Sequence, residues 1–242
     1  MLKKLFVLFF VAGCAGAGWV PPSGFVYVPI DAGEYEIATW QKINNPNDSR
    51  IHIYVEGDGN AFDAYGWPTD DPTPRGTLVR DLVTRDDFEN VVYVARPCQF
   101  IMNQNCSESD WTDGRFSQKI IEAESVVVKK IAGGKKITLI GYSGGAMVSG
   151  LIITQNPKLK FENWITIAGV LDHKKWTDYF GDEPLVRSLN LTKLPDVPQK
   201  HFVGGRDTVV PVCLATQWAR VDDTVIIDSA THADFGELKI FD

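Results

Sequence analysis

Apolar residues along this chain gather in short uninterrupted runs, with longer stretches of mixed polarity between them. The runs at 51–55 (IHIYV), 91–95 (VVYVA), 137–140 (ITLI), 164–167 (WITI), 201–203 (HFV) and 225–227 (VII) are rich in β-branched and aromatic residues. Continuous rather than alternating apolar character is the pattern of strands buried on both faces. A further strand is expected earlier, at 35–40. Residues 74–84 carry Leu78, Leu82 and Val83 on one side of a helical wheel, and helices are also expected at 116–131, 144–154 and 212–219. The stretch 171–198 is less regular. Strand and helix alternate, so the expected fold class is α/β, a mostly parallel central sheet flanked by helices. In such a sheet the active site lies beyond the carboxyl ends of the strands.

The first residues stand apart from this alternation. Met1-Leu2-Lys3-Lys4 is a short positive start, and residues 5–12 (LFVLFFVA) are a continuous apolar run. The run is well short of the ~20 residues of a membrane-spanning helix and has the length of the apolar region of an export signal. It ends in VAGC (11–14), which resembles a bacterial lipobox. On that reading residues 1–13 are a lipoprotein signal peptide, Cys14 is lipidated, residues 14–24 are a Gly/Ala/Pro-rich tether, and residues 25–242 form one domain. The expected place is the bacterial cell envelope, lipid-anchored. Ala15, where an aspartate would mark inner-membrane retention, favours the outer membrane. Plain secretion with Cys14 incidental is the alternative.

Charge and cysteines narrow the picture further. A formal net charge of −7 over 242 residues argues against nonspecific nucleic-acid binding, which depends on basic patches. Cys98 and Cys106 are close in sequence and, in an exported chain, favour a disulfide over two free thiols. Closing so short a loop would contribute roughly 2–3 kcal/mol. Cys213 has no evident partner and reads as a small buried apolar residue. No C-x-x-C pair and no His-rich cluster points to a metal.

Chemistry enters with GYSGG (141–145). It follows the 137–140 run directly and precedes an expected helix, the setting of a nucleophile held on a sharp strand-to-helix turn. Asp207 follows the 201–203 run in GGRD, and His232 follows the 225–227 run in DSATH. A serine hydroxyl needs a base within hydrogen-bond reach, and the base needs a carboxylate to fix its tautomer. Of four histidines, His52 and His201 sit within strand runs. His173 follows the 164–167 run beside Asp172, which makes Asp172 the rival to Asp207. Acyl transfer also needs N–H donors for a developing oxyanion. The amide of Gly144 supplies one, and that of Asp58 or Gly59, in EGDG after the 51–55 run, supplies the other.

These segments together resemble the α/β-hydrolases, and more narrowly a group of exported proteobacterial hydrolases, many of them lipoproteins. The resemblance is carried by EGDGNAF (56–62), DPTPRG (71–76), VARPCQF (94–100) with Cys106, GYSGGA (141–146), AGVLDHKKW (168–176), PLVRSLNL (184–191) and VGGRDTVVP (203–211), and spans most of residues 30–235. It implies an α/β-hydrolase fold with a small or absent lid, Ser143 as nucleophile, Asp207 as acid, His232 as base, and Cys98–Cys106 as a disulfide. The expected function is a serine hydrolase that cleaves a small-molecule acyl ester or thioester through an acyl-enzyme, without cofactor or metal. Phe62, Tyr65, Trp67, Trp176, Tyr179 and Phe180 are expected to wall an open cleft for short or medium acyl groups. A noncatalytic envelope lipoprotein that uses the fold for binding, or a peptidase of the same fold, are the alternatives.

Overall fold

The computed structural model describes Trp19 and residues 21–241. The expected export signal and Cys14 lie outside the described residues. Ten strands and five α-helices follow one another as β1 (Val26–Tyr27), β2 (Ile30–Asp31), β3 (Glu36–Ile37), β4 (Thr39–Ile43), β5 (Arg50–Val55), α1 (Leu78–Arg85), β6 (Asn90–Val94), α2 (Gln118–Ala132), β7 (Lys136–Tyr142), α3 (Gly144–Gln155), β8 (Phe161–Ile167), α4 (His173–Phe180), β9 (Gln199–Gly204), α5 (Val212–Ala215) and β10 (Thr224–Ile227). Eight strands form one sheet in the order β1-β4-β6-β5-β7-β8-β9-β10, while β2 and β3 make a separate pair. The β1–β4 and β4–β6 pairings are antiparallel, and every pairing from β6 to β10 is parallel.

Each face of the sheet has its own core, because successive side chains on a strand point to opposite sides. On one face Ile51, Ile53 and Val55 pack with Leu139 beneath α2 and α3. On the other, Tyr54, Tyr93 and Ile140 pack beneath Leu78, Leu82 and Val83 of α1 and beneath Phe235 and Ile240 of the C-terminal segment. The helices obey the same logic. Helix α3 is buried on every side from Gly144 to Ile153, as its unbroken apolar sequence requires. Helix α2 is one-sided, and it ends at Gly133 in a left-handed conformation (φ 54°) that a glycine adopts without steric cost. Trp19, within the stretch expected to be tether, packs against Trp40 and Tyr93 with ring centroids 5.0 and 5.3 Å apart.

Several expectations shift. The strand at 35–40 is two: Glu36–Ile37 pairs with β2, and Thr39 opens β4 in the main sheet. The helix expected from residue 74 begins at Leu78, after Gly76, a residue that weakens a helix interior. The helix expected over 212–219 stops at Ala215. The irregular stretch 171–198 holds α4, whose N-terminus is capped by Asp172 accepting from the Lys175 amide at 3.2 Å. Cys213 is exposed, not buried. Cys98 and Cys106 are joined in a disulfide, with Cα atoms 5.8 Å apart.

One buried histidine gives the fold a pH dependence. His201, on β9, lies 2.8 Å from the Thr166 hydroxyl and edge-on to Trp164. Burial pushes its imidazole down to about 4, with Asp223 pulling the other way. An unfolded histidine titrates near 6.5, so between the two values the unfolded chain holds the extra proton. Stability therefore falls as pH drops from about 6.5 to about 4, by about 3 kcal/mol in all. Urea midpoints measured from pH 7 to 4.5 should fall less steeply in His201→Gln than in the parent. Parallel curves would remove His201 from the pH response.

Candidate active site

The carboxyl ends of β5, β7, β8, β9 and β10 converge on one cavity of about 560 Å³ whose lining includes Ser143 and His232. Ser143 sits between β7 and α3 with φ 51° and ψ −121°, a conformation non-glycine residues seldom hold unless their surroundings impose it. The imposing contacts are visible in the backbone. The Ser143 amide donates to the Ile167 carbonyl at 2.9 Å, and the Ser143 carbonyl accepts from Ala146 and Val170, each at 3.1 Å. Glycine at 145 is a steric requirement of this turn: a Cβ there would lie 2.5 Å from the carbonyl oxygens of both Val55 and Glu56. The sharp turn lifts the hydroxyl above the sheet and leaves it at the start of α3.

The three residues read from sequence meet in one hydrogen-bonded line. Ser143 Oγ is 3.0 Å from His232 Nε2, and His232 Nδ1 is 2.9 Å from Asp207 Oδ2. The other oxygen, Asp207 Oδ1, accepts from the amides of Val209 and Val210, both at 2.8 Å. Those two bonds fix which carboxylate oxygen faces the imidazole. The Asp207 side chain is fully buried, whereas His232 keeps 17% of its side-chain surface open to the cavity. Tyr142 steadies the far side, its hydroxyl donating to the His232 carbonyl at 3.1 Å. Asp172 is not part of this line. Its oxygens accept from Lys175, Asn190 and Trp218, so it organises α4 and its neighbours.

The loop after β5 is held more firmly than its glycines suggest. Glu56, buried, accepts from the Gly57 amide at 2.9 Å and from the Tyr93 hydroxyl at 2.8 Å. Burial raises its carboxyl above the ordinary range, opposed by those two donors and by Arg80 and Arg96. Gln99 Nε2 donates to the Gly57 carbonyl at 3.0 Å. The Asp58 carboxylate is clamped between Arg96, 3.3 Å away, and Arg115, 2.8 Å away. Arg96 also donates to the Arg115 carbonyl and pairs with buried Glu124 at 3.2 Å. Burial pushes the Glu124 carboxyl up to about 8 against the pull of Arg96. The clamp brings Asp58 against α3, so that a side chain at Gly144 would run into its carboxylate. The amides of Gly144, Asp58 and Gly59 have no hydrogen-bond partner among the described residues.

Sequence reading located the loop but missed the residues that hold it. Arg96 and Gln99 lie within VARPCQF (94–100), so the signal was present as a motif without an assigned task. Arg115 and Glu124 had no signal short of the fold, while the cavity-lining His173 was marked in sequence only as a neighbour of Asp172. His173 is buried, and burial holds its imidazole below the ordinary value against the opposing pull of Asp172 and of the Leu189 and Ser188 backbone. Of the six aromatics expected as walls, Phe62 and Trp176 line the cavity. Tyr65, Trp67, Tyr179 and Phe180 do not, and all four are solvent-exposed. The residues that replace them on the wall are aliphatic or come from α2's approach, among them Leu78, Val79, Phe116, Val170 and Leu185. Among the described residues no cluster of His, Cys, Asp and Glu could hold a metal ion.

No protein-family model matches this sequence, and no curated protein does. Solved structures do resemble it. An α/β serine hydrolase without a lid from Xanthomonas campestris has a TM-score of 0.54 at 12% identity, over 89% of this chain and 88% of its own. Est1E from Butyrivibrio proteoclasticus has a TM-score of 0.58 at 11% identity, over 87% of this chain and 91% of its own. The esterase Pf2001 from Pyrococcus furiosus has a TM-score of 0.56 at 17% identity, over 86% of this chain and 84% of its own. With its parallel sheet from β6 to β10, helices on both faces and a serine on the turn after β7, this chain has the α/β-hydrolase fold.

Proposed function

We propose that the protein is a serine hydrolase cleaving an acyl ester or thioester through an acyl-enzyme, and that a lipid on Cys14 anchors it in the cell envelope. The observation that carries the catalytic reading is the line from Ser143 through His232 to buried Asp207, with spacings of 3.0 and 2.9 Å. Ser143 Oγ attacks the acyl carbonyl while His232 Nε2 accepts its proton. Asp207 accepts from His232 Nδ1–H throughout and stabilises the imidazolium. The tetrahedral oxygen then draws on the amides of Gly144 and Asp58. Asp58 is preferred over Gly59 because its side chain lies against Gly144, whereas a Cβ at Gly59 would meet Pro72 and Gln99. A carboxylate so close to a developing oxyanion would repel it. Pairing with Arg96 and Arg115 cancels that charge and leaves the side chain as an anchor for its own amide. Collapse of the intermediate releases the alcohol or thiol with the proton from His232, and water repeats the sequence to free the acid.

A fluorophosphonate probe tests this reading. It should form a one-to-one covalent adduct, and tandem mass spectrometry of the digest should map it to Ser143. An unlabelled protein, or an adduct elsewhere, would leave the fold without this activity.

A further inference from the structure

The four aromatics that do not line the cavity belong to the two segments that supply Phe62 and Trp176 to its wall. Tyr65 is 87% exposed, Trp67 70%, Tyr179 55% and Phe180 41%. Phe62 and Trp176, their neighbours in sequence, are on the cavity wall, so two separate segments each give one ring to the wall and two to solvent. Neither segment is a loose tail. The 62–68 loop is closed by a bridge between Phe62 and Pro68. Within it Asp63 N–H donates to the Trp67 carbonyl at 2.8 Å, and the Asp63 carboxylate accepts from the amides of Tyr65 and Trp67 at 2.8 and 2.9 Å. On the other side, Phe180 packs on both Trp176 and Tyr179, with centroids 5.5 and 4.9 Å apart. Keeping large rings in water is costly, about 25 cal/mol for each Å² of apolar surface. A tightly built loop that does so marks a contact surface.

We infer that this aromatic rim docks on the surface of a lipid bilayer, so that the hydrolase draws an ester-linked lipid from the membrane into its cavity. The inference rests on the hydrolase reading and on the Cys14 anchor. Three observations select a bilayer. Tryptophan and tyrosine are the side chains that favour the membrane interface, where an apolar ring meets polar headgroups. Second, the fold meets the tether at the same end of the sheet. Trp19 packs on Tyr93 near the carboxyl end of β6 and lies 5.9 Å from the Arg80 guanidinium. Arg80 lines a small cavity that shares Asn60, Pro74 and Arg75 with the active-site cavity. Five residue steps lead from Cys14 to Trp19, a reach of at most about 18 Å, so a lipid on Cys14 holds this end of the molecule close to the headgroups. Third, the two segments carry more acid than base: Asp63, Asp70, Asp71, Asp178, Asp182 and Glu183 against Lys174 and Lys175. The rim therefore has no need of an anionic surface, and zwitterionic lipid suffices.

The test uses the lipidated full-length chain in phosphatidylcholine proteoliposomes that carry a fluorogenic ester lipid. In the variant Tyr65→Ser/Trp67→Ser/Tyr179→Ser/Phe180→Ser, hydrolysis of the embedded ester should fall tenfold or more. Hydrolysis of a short water-soluble ester should stay within twofold, which also reports an intact fold. Equal losses on both substrates, or none on either, would overturn the inference. Docking is read separately from chemistry by bilayers with brominated acyl chains. These should quench the fluorescence that distinguishes the parent from Trp67→Ser. Quenching without turnover of either ester would fail the hydrolase reading and retain the docking; turnover of the soluble ester without quenching would do the reverse. A parent that sediments as a dimer in detergent, with the fourfold variant monomeric, would assign the rim to a second copy and end the proposal.

Discussion

Ser143→Ala lowers kcat on an activated ester by about a millionfold while KM stays within severalfold. The reasoning starts from the backbone. Ser143 holds φ 51°, and alanine at that position bears the same strain as serine, since both carry a Cβ. The elbow is imposed by bonds from Ile167, Ala146 and Val170 to the Ser143 main chain, all of which survive the change. The variant should therefore fold like the parent, and the lost rate reports chemistry. Without the hydroxyl no acyl-enzyme forms, so the burst of product seen before steady state should vanish together with turnover. What persists is the rate due to binding and to the free amides near Gly144, some 10³–10⁴ above water in comparable enzymes. Stopped-flow measurement of burst and steady state on p-nitrophenyl butyrate checks both. A variant that retains more than about a hundredth of the parent rate would show that the serine is not the attacking group.

How much of this was legible beforehand follows from what each residue needs to be recognised. The strands β5, β6, β7 and β8 announce themselves because a strand buried on both faces has no polar side, and four or five apolar residues in a row say so. The edge strand β10 has exposed Val225 and Ile226, yet its short apolar run still gave it away. Ser143, Asp207 and His232 were found because each sits just beyond a strand, and the parallel topology brings those positions to one edge. Helix α4 was hidden, since its start depends on a capping aspartate whose own partners, Asn190 and Trp218, lie 18 and 46 residues away. The clamp on Asp58 was hidden for the same reason. Arg96 and Arg115 reach it across 38 and 57 positions, and charge at such spacing has no periodicity to betray it. The exposed aromatics misled in an instructive way. Position after two strands put these rings near the site, but only the closed 62–68 loop and the turn of α4 decide which of them line the cavity.

Asp207→Asn should lower kcat/KM by about 10⁴-fold, whereas Asp172→Asn should change it no more than severalfold. The asymmetry comes from the two oxygens of Asp207. Oδ1 is held by the amides of Val209 and Val210 at 2.8 Å, which are donors and accept nothing. An asparagine must therefore keep its carbonyl oxygen there and turn its NH₂ towards His232. That NH₂ can only donate, so it pairs with the bare lone pair of Nδ1 and leaves the imidazole proton on Nε2. Nε2 is the atom 3.0 Å from Ser143 Oγ, and once protonated it has no lone pair with which to take the serine proton. The geometry survives and the tautomer is wrong. Because hydroxide can replace the general base in part, the residual rate of Asp207→Asn should climb with pH across 8–10, where the parent has levelled off. Asp172 makes no contact of this kind; its amide analogue can still cap α4 through the same oxygen. Rate–pH profiles of the two variants on one soluble ester decide the matter. If Asp207→Asn kept its rate within tenfold, or Asp172→Asn lost as much, the carboxylate that orients His232 would have been misassigned.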